Sequence, residues 1–442
     1  MSTPASADGR RRPCVVILGA GFAGLHAAHA LRHVDADITL LDKNNYHTFQ
    51  PLLYQVGTGY LAPEEVGVAL RAVFRRQPNL TVRVGEVVSV NWADRSLRCR
   101  DGSTLGFDYL ILAAGAHTNF FGIPGMPEHS WPLYTLTDAI RLRHHLLSTL
   151  EQAANTAGPD GAQITTVVVG GGPTGVETAG ALTSMAHEVV GPVATLAVTL
   201  IEAGPRLLGA FTKRCSQLAL TDLRRRGVDV RLGQSVTAAH PHGVTLASGE
   251  HIPTDTIIWA AGVQANHLSR ALGVTLTRHG QIPVDPQLRV PDHPGVFAAG
   301  DLAAITPPGD QRPLPMLAPV AIETGRHAGE QVARLIHHTP LTAFRYHDNG
   351  LMAVLGRGDA VAELPLFPGA PNHYRLQFGG RAAWLLWLGV HIVYLIGFRN
   401  RLQVLIDWAW SYLTSRGAGA ILLTPPNTPT APSPTPTRSI PD

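Results

Sequence analysis

Two glycine-rich segments carry the most specific chemistry in this 442-residue chain. In CVVILGAGFAGLHAAHAL, the apolar run Val15 to Leu18 meets Gly19, Gly21 and Gly24, with Phe22 and Ala23 inside the turn. In VVVGGGPTGVETAG, the run Thr165 to Val169 meets Gly170, Gly171, Gly172 and Gly175, with Pro173 and Thr174 between them. A helical pattern follows each cluster. The first glycine of such a turn allows the sharp bend. The second lets backbone approach a pyrophosphate, and the third lets helix and strand pack closely. The helix N-terminus then offers unpaired N–H groups to phosphates. Each copy continues into a second apolar strand ending in an acid, ITLLD with Asp42 and VTLIE with Glu202. An acid there suits the hydroxyls of an adenosine ribose. Ordinary strand–turn–helix units without a ligand are the alternative. Glycine spacing, strand, helix and distal acid agree twice, which favours two dinucleotide sites.

Other segments supply candidate contacts. Residues Asp42 to Val66 have no clean period, and a loop of that length in a compact domain is more often functional than idle. Leaving the end of a strand, it can fold over a ligand, with Lys43, His47, Phe49, Gln50, Pro51 and Leu52 as its lining. A plain hydrogen-bonded loop histidine is the competing reading of His47. Three apolar runs exit into small residues: Ala113-Ala114-Gly115, Ala260-Ala261-Gly262, and VFAAGD with Gly300 and Asp301. Small residues permit close approach of a cofactor, and Asp301 suits a polyol or pyrophosphate segment. Beyond Pro315, Leu317 to Ile336 reads as an amphipathic helix, and its positive end, at Leu317, Ala318 and Pro319, suits an electron-rich ring.

Composition narrows the class. The formal charge of +3 argues against a nucleic-acid binder. Lys43 and Lys213 are the only lysines, so nearly all basic residues are arginine. The three cysteines, Cys14, Cys99 and Cys215, are scattered without a CxxC pair. That disfavours a dithiol flavoenzyme and a disulfide-built scaffold, and fits a reducing cytoplasm. Arg10 to Arg12 before an apolar stretch imitate a twin-arginine export signal. Cleavage there would destroy the first nucleotide turn, so export is disfavoured.

The plan that follows is α/β, with two Rossmann-like dinucleotide-binding domains and a C-terminal amphipathic helical region. Residues 1–12 are a disordered N-terminus, 13–160 the first part of the first nucleotide domain, 161–280 the second nucleotide domain, and 281–340 the return of the first. Residues 341–423 are a membrane-association region and 424–442 a disordered Pro/Thr tail. Short strands are expected from Leu80 to Leu105, with a turn at Asp101-Gly102. A helix is expected from Thr137 to Ala154, capped by Thr137. Ala382 to Gly397 is strongly apolar but short of the ~20 residues that span a bilayer. Trp384, Trp387, Tyr394, Trp408, Trp410 and Tyr412 crowd the segment from Arg381 to Arg416, beside Arg399 and Arg401. Two helices lying on a membrane surface fit this pattern, and a hairpin buried in a dimer interface is the alternative.

Two dinucleotide sites without a thiol pair point to FAD in the first and a visiting nicotinamide cofactor in the second. Glu202 favours NAD(H) over its 2′-phosphorylated form, with Arg206 nearby as a possible counterweight. A membrane-lying tail points to an acceptor dissolved in the bilayer, a quinone.

The motifs GAGFAG, NNYHTFQPLLYQV, GGGPTGVETAG, IIWAAGV, VFAAGD and WLLWLGVHIVYLIGFRNR make the chain resemble the type II NADH:quinone oxidoreductases, from Arg12 to Leu423. The resemblance implies the two-dinucleotide-binding-domain flavoprotein fold, bound FAD, NADH as donor and electron transport to quinone without proton pumping. It implies peripheral attachment to the membrane through the C-terminal helices; a homodimer and the cytoplasmic face of the membrane are the accompanying expectations. It also places Glu177 where nicotinamide, flavin and quinone meet. The competing reading of Glu177 is a helix N-terminal acid favoured by the dipole. Gln50 and Glu323 join Glu177 as catalytic candidates. The family's AQxAxQ reads APVAIE here, with Pro319 and Glu323 at the glutamine positions, and its Asp-Lys-Gly reads Asp348-Asn349-Gly350. These departures bear on the acceptor half: Glu323 takes a proton-relay role or marks a different acceptor. A quinone reductase with another donor, or a flavoprotein that senses NADH with little turnover, are the remaining alternatives.

Overall fold

The protein is described here by a computed structural model covering residues 11–307, 311–367, 374–414 and 421. The expectations for residues 1–10 and for the 424–442 tail lie outside the described residues. Arg11 and Arg12 are ordered against Asp108 and Asp35, each at 2.8 Å. The chain divides into two compact units. One holds the chain up to His47, Val68–His117 and Val263–His347. The other holds Thr48–Gly67, Thr118–Gly262 and the chain from Asp348 onward.

The first unit is built on a five-stranded parallel sheet in the order Val296–Ala298, Tyr109–Leu112, Cys14–Leu18, Asp37–Asp42, Leu80–Val84. Its central strand is buried throughout Val15–Leu18, as a parallel strand covered on both faces must be. Helix Phe22–Ala30 runs from the first glycine turn and packs on helix Ala318–Ile336. Gly325 makes that packing possible: a Cβ there would stand 2.0 Å from the Ala23 carbonyl oxygen. The expected short strands appear as an antiparallel sheet of Val87–Asn91, Ser96–Cys99 and Thr104–Gly106, turning at Asp101-Gly102.

The second unit repeats the parallel arrangement in the order Trp131–Pro132, Thr256–Trp259, Ala162–Val169, Ala194–Glu202, Asp229–Leu232. Helix Pro173–Val190 follows the second glycine turn. Helix Leu136–Thr156 starts one residue after Thr135, so Thr137 is not its cap. Thr135 Oγ1 accepts from the Asp138 N–H at 3.1 Å, and the Asp138 carboxylate accepts from the Thr135 N–H at 2.8 Å. The reciprocal capping box selects Thr135 because only it has an acid three residues on.

The same unit carries an antiparallel meander, Leu351–Gly356, Asp359–Pro365 and Arg375–Gly380, and two helices, Arg381–Tyr394 and Phe398–Thr414. The segment expected as an aperiodic loop is largely helical: Gln50–Leu52, Leu53–Gly57 and Pro63–Val66 are short turns. Leu52, Leu53, Val56 and Leu61 are buried. Turns of three to five residues are too short to show a helical period in sequence.

The aromatic cluster of the C-terminal helices divides between core and surface. Trp387 and Trp408 are buried at 1% and 6% exposure, with ring centroids 5.8 Å apart, and His391 stacks on Trp387 at 3.8 Å. These two tryptophans pack the core, so the expectation that all lie at a membrane interface is corrected: helix spacing aims them inward. The opposite faces expose Leu385, Val393, Tyr394, Leu402, Leu405, Ile406 and Trp410. Tyr412 lies outside the side chains described. Among the described residues, no helix is long and apolar enough to cross a membrane.

Candidate functional site

In the first unit, the glycine turn is shaped by close backbone contacts. Gly19 has φ +102°, and a Cβ there would meet the Ala113 carbonyl oxygen at 2.3 Å. Beside Gly21, by contrast, a Cβ would meet no atom within 4 Å, at the start of helix Phe22–Ala30. Open space at a helix N-terminus after a glycine turn fits a pyrophosphate. The Asp42 carboxylate is aimed back at this turn, accepting from the Ala20 and Asn44 N–H groups at 2.7 Å each. Lys43 follows it in sequence, and Ala114-Gly115 follow Ala113 at the exit of the neighbouring strand.

His47 is both a bonded loop histidine and a site residue. Its Nδ1 lies 2.9 Å from the Ala20 carbonyl, and Phe22 packs edge-on at 5.0 Å. Burial pushes its pKa down, so the ring is neutral and Nδ1–H donates. Nε2 is then a buried acceptor with no partner among the described residues. An orphaned buried acceptor beside an open phosphate cradle fits a bound dinucleotide. On the far side of the sheet order, Gly300 donates its N–H to Thr324 Oγ1 at 3.0 Å, and Asp301 begins the next turn. Leu317, Ala318 and Pro319 form the N-terminus of the 19-residue helix, where Leu317 is the N-cap.

The second unit repeats the geometry. Gly170 has φ +112° and faces the Ala260 carbonyl, while beside Gly172 a Cβ would meet nothing within 4 Å. Pro173 and Thr174 open the helix, and Gly175 crosses the Gly170 carbonyl closely. Glu202 accepts from the Gly171 and Gly204 N–H groups, both at 2.6 Å. Ala261 and Gly262 leave the adjacent strand, Thr256–Trp259. Arg206 is committed elsewhere: it donates to the Phe211 and Gly209 carbonyls at 2.5 and 2.6 Å and to Ser216 Oγ at 3.1 Å. It braces its own loop, leaving Glu202 to set the charge at the turn.

Glu177 lies on the second helical turn, past the first turn where the helix dipole acts, so dipole stabilisation does not account for it. It is buried, and Oε1 accepts from the Val354 N–H at 3.1 Å. Burial pushes its pKa up to about 8, opposed by the Val354 N–H and by the nearby Trp387 indole. Glu177 lines a cleft that is open to solvent. Its walls are aromatic, from Tyr54, Tyr60, Trp384, Trp387 and Trp408, with Gln55, Ser184 and Arg357 as polar groups. Trp408 Nε1 donates to Gln55 Oε1 at 2.8 Å.

Gln50 lies in the same unit but does not line this cleft; its amide reaches the Tyr134 carbonyl at 3.5 Å. Phe49 is buried and meets the His391 ring edge-on at 6.1 Å, and Pro51 sits in the short turn after it. Glu323 belongs to the first unit, where it lines a groove with Arg326, His327, Glu330 and Phe344. Its carboxylate accepts from the His347 N–H at 3.1 Å. Asp348 accepts from the Gly350 N–H at 2.8 Å and pairs with Arg375, whose Nη1 is 3.3 Å from the buried Glu363. Tyr60, Ser184, Trp384, Trp387 and Trp408 were not singled out as cleft residues from sequence. The spacing 177, 181, 184 along one helix was the available signal.

Residues 13–325 match the family described as pyridine nucleotide-disulphide oxidoreductase, and residues 349–417 match the NDH2 C-terminal domain. The chain is 35% identical over 431 residues to the type II NADH:quinone oxidoreductase Ndh of Mycobacterium tuberculosis, covering 92% of this chain and 89% of the relative. The chain belongs to the type II NADH:quinone oxidoreductase family. A Staphylococcus saprophyticus member is 27% identical, over 79% of this chain and 89% of its own. NDH2 from Plasmodium falciparum, solved in complex with NADH, shares the fold with a TM-score of 0.80 at 22% identity, over 92% of this chain and 99% of that one. The sulfide:quinone oxidoreductase of Aquifex aeolicus shares it at 0.72 and 18%, over 88% and 91%. As a type II NADH:quinone oxidoreductase, the chain is an FAD-dependent enzyme that passes electrons from NADH to a quinone.

Proposed function

We propose that the first unit holds FAD, the second receives NADH, and the aromatic cleft around Glu177 receives the quinone ring. The flavin, when bound, takes a hydride from NADH and yields two electrons to the quinone. The remaining work belongs to this chain. Gly19, Gly21, Phe22, Ala23, Gly24, Asp42, His47, Gly300 and Asp301 are suited to hold the flavin dinucleotide. Gly170, Gly172, Gly175 and Glu202 are suited to hold NADH.

One observation carries the assignment of the acceptor cleft. Glu177 is a buried carboxyl, neutral up to about pH 8, in a cleft walled by flat apolar rings. A neutral acid can donate a proton to a quinone oxygen as negative charge develops there. Aromatic walls are suited to stack on a quinone ring. Phe49, Gln50 and Pro51 belong to the same unit as candidates for the approach to the cleft.

The exposed apolar faces of helices Arg381–Tyr394 and Phe398–Thr414 support attachment to a membrane surface, where a lipid-dissolved quinone is met. In this reading the enzyme acts at the cytoplasmic face, moves no proton across the membrane, and forms a homodimer. Anaerobic reduction with one equivalent of NADH, followed by a short-chain quinone, tests the whole sequence. Flavin bleaching followed by rapid recovery is expected. Bleaching without recovery would keep the donor half and refute quinone as acceptor.

A further inference from the structure

The overall reaction, NADH + H⁺ + quinone giving NAD⁺ + quinol, needs one proton beyond the one carried with the hydride. Glu177 is buried in the cleft, so a proton it gives to quinone must be replaced from elsewhere. One face of its own helix leads outward. Glu177, Ala181, Ser184 and Glu188 recur at spacings of four, three and four on helix Pro173–Val190, which aligns them on a single face. Glu177 and Ser184 both line the cleft, about 10 Å apart along the helix axis at ~1.5 Å per residue.

At the edge of the cleft the polar groups are in contact. The Tyr60 hydroxyl lies 2.6 Å from Ser184 Oγ and donates to Glu188 Oε1 at 3.1 Å. Glu188 is 6% exposed and lies 3.7 Å from Arg357, which is 25% exposed and also lines the cleft. His187, the preceding residue and exposed, is the other basic side chain that acts on Glu188. Burial pushes the Glu188 carboxyl upward, against the Tyr60, Ser184, Arg357 and His187 contributions. A carboxyl, a phenol and a hydroxyl in series, ending at a water-accessible cleft, form a chain along which a proton can move by hydrogen-bond exchange.

We propose that Glu188, Tyr60 and Ser184 form the route that returns a proton to Glu177 after each quinone reduction, with cleft water spanning Ser184 to Glu177. The proton enters at Glu188 beside Arg357. It passes through the Tyr60 and Ser184 hydroxyls, each of which takes one proton and releases another, and re-protonates the Glu177 carboxylate. No electron moves along the route. Glu188 and Tyr60 are positioning residues for a proton; neither touches the substrate.

The proposal rests on Glu177 being the donor to quinone, and the experiment separates the two. Glu188→Gln, Tyr60→Phe and Glu177→Gln holoenzymes are assayed with a short-chain benzoquinone and with ferricyanide, which takes an electron and no proton. Glu188→Gln is expected to lower quinone turnover at least ten-fold while ferricyanide reduction stays within two-fold of wild type. The solvent deuterium isotope effect on quinone turnover should rise. Proton uptake, followed with a pH-indicator dye in weak buffer, should lag behind flavin reoxidation. Tyr60→Phe keeps the ring volume and should show the same split more weakly. Equal losses with both acceptors, or full quinone turnover with an unchanged isotope effect in Glu188→Gln, overturn the route. If Glu177→Gln slows quinone and Glu188→Gln does not, only the route falls. If Glu177→Gln has no effect, the underlying reading falls with it.

Discussion

Glu177 Oε1 accepts a hydrogen bond from the Val354 N–H at 3.1 Å, across 177 residues of sequence. The acid is therefore held by two elements, helix Pro173–Val190 and strand Leu351–Gly356, that approach closely because Gly180 has no side chain. A Cβ at Gly180 would stand 2.2 Å from the Leu355 carbonyl oxygen. Burial between them keeps the carboxyl neutral to about pH 8.

Quinone turnover is expected to decline as pH rises through about 8, because the donor form of Glu177 is the protonated one. Glu177→Gln should remove this decline and lower kcat roughly 100-fold, the scale of a lost general acid. Turnover measured from pH 6 to 10, with ferricyanide as the proton-free control, decides it. A variant that keeps the decline would assign it to another group.

Glu202→Ala should raise KM for NADH more than it lowers kcat, by roughly ten-fold or more, the scale of a lost hydrogen bond to a charged group. Glu202→Gln should narrow the preference for NADH over NADPH. Arg206→Ala should leave that preference in place, since the guanidinium already serves the carbonyls of Gly209 and Phe211. Steady-state kinetics with both donors check this, and an unchanged KM in Glu202→Ala would remove the ribose assignment.

Ile406→Glu combined with Trp410→Glu should release the protein from anionic liposomes in a flotation assay. Both residues are more than half exposed, so the fold should tolerate the change. Trp387→Ala or Trp408→Ala should instead unfold or loosen the C-terminal helices, by about 3–5 kcal/mol for a buried tryptophan. Sustained liposome binding by the glutamate pair would point to the dimer interface as the role of that face.

The docking of the C-terminal helices should be strongest between about pH 4.5 and 6.5, where the two contributions change in opposite directions. Glu65 is buried, and burial, then the neighbouring Asp407 carboxyl of the last helix, raise its pKa to about 8. Its contribution is complete below the ordinary carboxyl range and is lost as pH rises through about 8. His391 is lowered to about 4 by burial, so its contribution is present above the ordinary imidazole value and is lost as pH falls through about 4. Tryptophan fluorescence against pH reads both limbs. Glu65→Gln should flatten the alkaline limb alone; an unaltered limb would show that Glu65 does not set it.

Much of the plan was legible in the chain itself. Both nucleotide turns, their acids Asp42 and Glu202, and the small-residue exits at Ala113 and Ala260 are local: each depends on residues within one strand–turn–helix segment, where backbone sterics act. The family motifs and the amphipathic C-terminal helices were legible for the same reason. Thr135 was missed as a cap because its role depends on Asp138, a short-range pairing that Thr137 obscured. What only the tertiary structure decided is which side chains meet. Tyr60 reaches Ser184 across 124 residues, and Trp408 reaches Gln55 across 353. Hydropathy ranks Trp387 and Trp410 alike, yet one is core and the other surface, because the face by which each helix packs sets the side each residue presents. The raised pKa of Glu177 likewise comes from desolvation by elements distant in sequence, a property no local motif encodes.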